Sequence, residues 1–208
     1  MNCPVCRQPR TTQVCPVCNH VYLQDVNDPT GYPTSAQQPK FWTFERVTHE
    51  ADALLPLIPI HEPFIGAEIG THIASTATIL LFKRPQLRLY CVDTWHRSPE
   101  RYEMALAHLN QAGVRPRATI IKEDSTEGAK QVADASLDFA FIDASKEPAR
   151  YESDCRAWLP KVKAGGFLAG HDYHMAPVPP IAHRIADELG KELTISPQEA
   201  APTWTIRL

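Results

Sequence analysis

Carboxylates recur in this chain at one kind of place, the end of an apolar run. Glu68 stands in "GAEIGTHIAST", Asp93 in "LRLYCVDTW", Asp124 in "IKEDS", Asp143 in "FIDASK" and Asp172 in "AGHDY". One acid so placed often just caps the next helix. Five that meet in one crevice repel one another, and a cation, a hydroxyl-rich ligand or both must compensate them. Asp93 follows Gly70 at about the spacing at which a carboxylate accepts hydrogen bonds from ribose hydroxyls. After it come Thr94 and Trp95, and Trp95 with the Asp124–Ser125 pair is placed to flank and hydrogen-bond an adenine. The loop at Gly70 lacks the glycines that let a backbone close around a pyrophosphate. Its acidic character suits the two charged ends of an amino acid instead. A ribose, an adenine and an amino acid together describe S-adenosylmethionine.

A second constellation opens the chain. "CPVCRQPRTTQVCPVC" holds Cys3, Cys6, Cys15 and Cys18. Each Cys-Pro-Val-Cys forms a knuckle with both sulfurs facing one ion, and two knuckles supply the tetrahedral thiolate set that Zn²⁺ prefers. Redox CxxC motifs come singly beside a βαβ pattern, and disulfides are disfavoured in a reducing compartment. The knuckles resemble those of zinc ribbons and rubredoxins, which keeps iron open beside zinc. Too few residues separate them for an apolar core, so the metal must hold the piece together. Its role is structural, or it docks a protein partner or a nucleic acid. Arg7 and Arg10 alone make no basic footprint, which argues against nucleic acid. Cys91, in an apolar run, and Cys155, in an amphipathic helix, read as packing residues.

The 208 residues suffice for one substantial core plus a small appendage, and the net charge of -3 gives no general attraction to nucleic acid or anionic membrane. No run approaches membrane-span length and no signal peptide is legible, so a cytoplasmic protein is expected. Residues 1–22 form the metal module and residues 23–40, rich in Pro, Asn, Asp, Ser and Gln, a linker. From residue 41 the texture changes. Phe44, Val47, Ala51, Leu54 and Leu55 have near-helical spacing up to Pro56, which predicts a leading helix that packs on, or lids, the rest of the domain.

Seven strand-like runs come next: "PFIGAEI", "LRLYCVD", "ATII", "LDFAFID", "GFLAG", "LTIS" and "WTIRL". Helical segments separate the first five. Ile73 to Phe82 is one; Ser98-Pro99-Glu100 starts another as N-cap, first-turn proline and first-turn acid. Tyr102, Ala105, Leu106 and Leu109 form its buried stripe, as do Tyr151, Cys155, Trp158 and Leu159 in a later helix and Ile181, Ile185 and Leu189 in the last. This alternation predicts an α/β, Rossmann-like, doubly wound sheet of seven mostly parallel strands, the last two pairing as an antiparallel hairpin. Ligands bind such a sheet beyond the carboxyl ends of its strands, where the five acids stand.

Residues from about Thr43 to Leu208 resemble a class I S-adenosylmethionine-dependent methyltransferase, most nearly the small O-methyltransferase-like group. "EIGTHIASTATIL", "LRLYCVDTW" and "DFAFIDASKEPARYESDCRAWLPKVKAGGFLAGHDY" carry the resemblance. It implies that Glu68, Gly70, Thr71 and Ser75 hold the methionine part, Asp93 the ribose, and Asp124 with Ser125 the adenine. The family usually has a second glycine where Ala74 stands. In metal-dependent relatives a divalent ion, Mg²⁺ or another, binds the acceptor hydroxyls, and Asp143 and Asp172 occupy the strand ends that carry its ligands. Lys146 stands where relatives carry a base. Tyr173 replaces the expected third ligand, with His171 and His174 nearby as a borderline-metal ligand or base.

The expected reaction is therefore methyl transfer to a hydroxyl of a small acceptor, a sugar or phenolic, assisted by a divalent ion, with Asp143, Lys146 and His171 at the chemical step. The loops Thr94 to Pro99 and His171 to Pro180 shape the acceptor site. An RNA or protein acceptor recruited by the metal module is the alternative within methyltransferases; partner contacts or self-association through that module belong with it. A nicotinamide oxidoreductase is opposed by the missing glycines and the terminal hairpin. A degenerate, non-enzymatic binding platform draws its support from Ala74 and Tyr173. His61, His108 and His183 have no constellation around them and read as surface or core-edge residues.

Overall fold

The computed structural model describes residues 50–96, 98–197 and 201–208. Cys3, Cys6, Cys15 and Cys18, the 1–22 and 23–40 segments, and Phe44 and Val47 of the leading helix lie outside the described residues. From Phe64 the chain alternates as its pattern requires. β1 (Phe64–Ile69), β2 (Leu87–Val92), β3 (Ala118–Ile121), β4 (Leu137–Ile142) and β5 (Val162–Gly170) are separated by α1 (Ser75–Lys83), α2 (Pro99–Gln111), α3 (Ser125–Ala129) and α4 (Pro148–Trp158). α5 (Val178–Leu189), β6 (Leu193–Ile195) and β7 (Trp204–Arg207) complete it.

The strands form one seven-stranded sheet in the order β3-β2-β1-β4-β5-β7-β6. β1 to β5 run parallel, and β7 enters antiparallel between β5 and β6. The expected terminal hairpin therefore forms with its second strand inserted inward, leaving β6 at the edge. Each face carries its own apolar cluster, one centred on α1, α2 and the segment before β1, the other on α4 and α5. Burial on both sides explains the unbroken apolar strands; every residue of β4 is buried. Cys91 and Cys155 are buried free thiols. His108 corrects an expectation: it is buried in α2, with Nδ1 2.7 Å from the Ile73 carbonyl. Ser98 takes the N-cap position of α2 without a capping side-chain hydrogen bond, so Pro99 and the first-turn acid Glu100 mark that start.

Register sets the strand tips. The amide of Asp93 donates to Ile121 O at 3.2 Å, that of Asp143 to Ile69 O at 2.8 Å and that of His171 to Ile142 O at 3.1 Å. Each residue just past its strand thus adds one rung to the neighbour's ladder, and the tips form a row. The chain changes winding direction between β1 and β4, where Gly70 has φ +93° and a methyl group would overlap the Asp143 carbonyl. Residues 50–54 are helical and end in a 3₁₀ turn over Leu55–Leu57. Ala51, Leu54 and Leu55 are buried, and Arg84 Nε donates to Ile58 O at 2.7 Å, so this stretch is docked on α1. No helix among the described residues is long and apolar enough to cross a membrane.

Candidate active site

The row of tips opens into one cavity of about 880 Å³. Glu68, Gly70, Thr71, Ser75, Asp93, Thr94, Trp95, Asp124, Ser125, Asp143, His171 and Asp172 all line it. Lys146 sits beside Asp143 and Asp172 with its side chain 9 % exposed. Acids distant in sequence therefore gather in one groove.

Each is compensated differently. Glu68 is buried, and its Oε2 has no hydrogen-bond partner among the described residues. Burial, then the nearby charges of Asp143 and Glu50, push its pKa well up. Asp93 accepts the amides of His72 at 2.8 Å and Trp95 at 3.0 Å, which ties the β1–α1 loop to the β2 tip. Asp124 caps α3, accepting the Thr126 amide at 3.1 Å, and pairs with Arg150 Nη2 at 2.5 Å. A burial penalty is outweighed there by the arginine, which holds the carboxyl below its ordinary range. The Ser125 hydroxyl accepts Trp158 Nε1 at 3.0 Å. Trp95 lines the cavity with little of its surface exposed. Its indole is buried, donates to His72 O at 2.5 Å and meets Tyr102 edge-on at 5.2 Å.

Strain concentrates here. His72, Ala74, Trp95 and Asp172 all have φ between +47° and +60°. Such backbone costs of order 1–3 kcal/mol per residue and persists where surrounding structure enforces it. Ala74 at φ 58°, ψ 33° holds a left-handed conformation that glycine would adopt at lower cost.

The end of the cavity between β4 and β5 holds a charged cluster. Lys146 Nζ lies 2.9 Å from Asp143 Oδ1 and 3.5 Å from Asp172 Oδ2. It also donates to Ala144 O at 3.1 Å and lies 5.7 Å from the Tyr151 ring centre. His171 Nδ1 is 3.4 Å from both Asp143 Oδ1 and Asp172 Oδ1. Burial opposes the charged imidazole, but hydrogen bonds to both aspartates prevail and push its pKa up to about 10. His171, then Lys146, holds Asp172 down to about 2. Tyr173 points elsewhere, its hydroxyl 2.9 Å from His183 Nε2, and His174 is exposed. Glu50 is the functional residue missed in the sequence. Its Oε2 accepts the Thr76 hydroxyl at 2.5 Å, and Oε1 lies 3.7 Å from His171 Nε2. The signal was present: an acid just before Ala51 and Leu54, on a helix expected to lid the site.

Residues 67–173, just over half of the chain, match the family described as a methyltransferase domain. The chain belongs to that methyltransferase family. The matched stretch runs from β1 to just past the β5 tip, so it carries most of the cavity lining. No curated protein matches the sequence. Three solved structures share the fold of this methyltransferase. A precorrin-6y C5,15-methyltransferase from Geobacter metallireducens aligns with TM-score 0.64 at 16 % identity, over 87 % of this chain and 96 % of that one. A candidate caffeoyl-CoA O-methyltransferase from Staphylococcus aureus gives 0.60 at 14 %, over 81 % and 94 %. An O-methyltransferase family protein from Burkholderia thailandensis gives 0.59 at 13 %, over 81 % and 63 %. Identities this low show the fold alone. Membership of the family makes the chain an S-adenosylmethionine-dependent methyltransferase, and the cavity has features that fit this cofactor: an orphaned buried carboxyl oxygen on Glu68 and a backbone cradle at Gly70.

In this methyltransferase Asp143 and Asp172 face Lys146 and His171, and Tyr173 turns away from them. Among the described residues the one convergent group of metal-competent side chains is Glu50, Asp143 and His171.

Proposed function

We propose that this methyltransferase moves the methyl group of S-adenosylmethionine to a hydroxyl oxygen of a small hydroxylated acceptor, a sugar or a phenol. The observation that carries the reading is one cavity lined both by the expected cofactor contacts and by Asp143 and His171, with Lys146 paired to Asp143. In the reaction the methyl carbon leaves sulfur for oxygen, S-adenosylhomocysteine departs, and the hydroxyl proton must go to the protein. The sulfonium is already a good leaving group, so the protein's task is alignment and proton removal. Asp143 takes the proton in this reading. The Lys146 ammonium and the Nδ1–H side of His171 beside it favour the developing negative charge on oxygen. Glu68, Gly70, Thr71 and Ser75 hold the methionine part, Asp93 the ribose, and Asp124 with Ser125 the adenine. The four N-terminal cysteines hold a structural zinc ion.

Incubating full-length protein with S-adenosylmethionine and panels of phenols and sugars should give a methylated ether and S-adenosylhomocysteine in equal amounts. Asp143→Asn should abolish turnover while S-adenosylhomocysteine still binds. Asp93→Ala should weaken that binding roughly 10- to 100-fold, the worth of charge-assisted hydrogen bonds. Thermal stabilisation by NADH and not by S-adenosylhomocysteine would overturn the assignment.

A further inference from the structure

We propose that Glu50, Asp143 and His171 bind a first-row divalent cation of the Mn²⁺, Fe²⁺ or Zn²⁺ kind, with Glu50 recruiting the segment before β1 into the site. One ligand atom from each residue lies within 4.8 Å of the others. The second, independent observation is the imidazole. His171 has a side chain 4 % exposed, and its Nε2 has no hydrogen-bond partner among the described residues. His171 and Glu50 both line the cavity, and the buried Nε2 lies 3.7 Å from Glu50 Oε1. This is too long for a hydrogen bond. It suits two ligands of one ion, because metal–ligand bonds of about 2.1 Å set ligand atoms roughly 3 to 4.2 Å apart.

The surroundings already orient the three donors. His171 Nδ1 faces Asp143 and Asp172, so an N–H there donates to carboxylate and leaves Nε2 as the metal-binding nitrogen. Thr76 fixes Glu50 through Oε2 and leaves Oε1 toward the imidazole. Lys146 and His171 both approach Asp143 through Oδ1, so Oδ2 is the oxygen available to an ion. Asp172 thus orients a ligand. One imidazole and two carboxylates favour Mn²⁺, Fe²⁺ or Zn²⁺ over Mg²⁺, which takes oxygen ligands and retains its waters. The site stands independently of the acceptor. Only its use, presenting an acceptor hydroxyl beside the sulfonium, rests on the O-methylation reading.

Electron paramagnetic resonance with Mn²⁺ on the full-length protein tests this, because thiolate knuckles prefer softer ions than Mn²⁺. One Mn²⁺ per chain should bind, with Mg²⁺ competing at least about tenfold more weakly. Glu50→Gln and His171→Gln should each weaken Mn²⁺ by roughly tenfold or more, while Asp172→Asn, which keeps an acceptor for the imidazole N–H, should lose less. Thermal stabilisation by S-adenosylhomocysteine, measured in the same variants without metal, reports an intact cavity. No specific Mn²⁺ signal, or full Mn²⁺ affinity in a ligand-competent Glu50→Gln protein, overturns the proposal and leaves the methyltransferase assignment standing. Loss of Mn²⁺ in Asp172→Asn with none in Glu50→Gln would also overturn it.

Discussion

Glu68 holds a carboxyl group in the buried end of β1 with one oxygen unpaired. The protein sacrifices stability there, since burial and the charges of Asp143 and Glu50 oppose ionisation in the fold and not in the unfolded chain. Linkage gives the sign. The folded carboxyl retains its proton at pH values where the unfolded one has lost it, so stability falls as pH rises from the ordinary carboxyl range through the raised folded pKa. Glu68→Gln should therefore stabilise the ligand-free protein at neutral pH by on the order of 1 kcal/mol, with a higher melting temperature. The gain should disappear in acid, where both states are protonated. The same change should weaken S-adenosylhomocysteine binding, because the amide offers no charge to an ammonium group. Differential scanning fluorimetry across pH, with and without ligand, reads both effects. Residues like Glu68 were legible because an acid ending an apolar run is conspicuous. Glu50 was less so: it meets Thr76 of the β1–α1 stretch only after folding, and its place before Ala51 and Leu54 put it on a helix without saying what it would face.

At the scale of elements, the site depends on how closely the β1 and β4 tips approach. Gly70 permits this with φ +93° and no side chain against the Asp143 carbonyl, while its amide donates to Val92 O at 2.8 Å. Gly70→Ala meets two penalties at once, left-handed backbone and steric overlap with main chain that cannot swing aside. It should destabilise the protein by about 2–4 kcal/mol and reduce S-adenosylhomocysteine affinity more than tenfold, as chemical denaturation and calorimetry would register. Wild-type ligand affinity in this variant would show that the tips need not touch. The alternation of apolar runs and amphipathic stripes made the strands and helices legible. The position of β7 was not, because pairing of the last two strands is satisfied equally at an outer edge or inserted beside β5. The burial of Trp95 was equally hidden: its indole donates to His72 O and meets Tyr102 edge-on, contacts that only the fold brings together.

Over the whole molecule, the proposed cysteine module and the acidic crevice should behave as different physical units. The described apolar core draws on residues from Ala51 to Ile206 and needs no metal to close. The cysteines end at Cys18, more than thirty residues before that core begins. A sheet with two complete apolar faces folds on its own burial, whereas a knuckle pair with no core folds on its ion. The units should therefore be separable in their energetics. Replacing Cys3, Cys6, Cys15 and Cys18 together by serine should remove bound zinc, measured by elemental analysis as a loss of one ion per chain. The same protein should keep its S-adenosylhomocysteine affinity within about threefold, a difference of about 0.7 kcal/mol. Its Mn²⁺ site at Glu50, Asp143 and His171 should also survive, since none of those ligands belongs to the cysteine segment. A large loss of nucleoside affinity in the serine variant would mean that the cysteine module forms part of the cavity wall and that the two units fold as one.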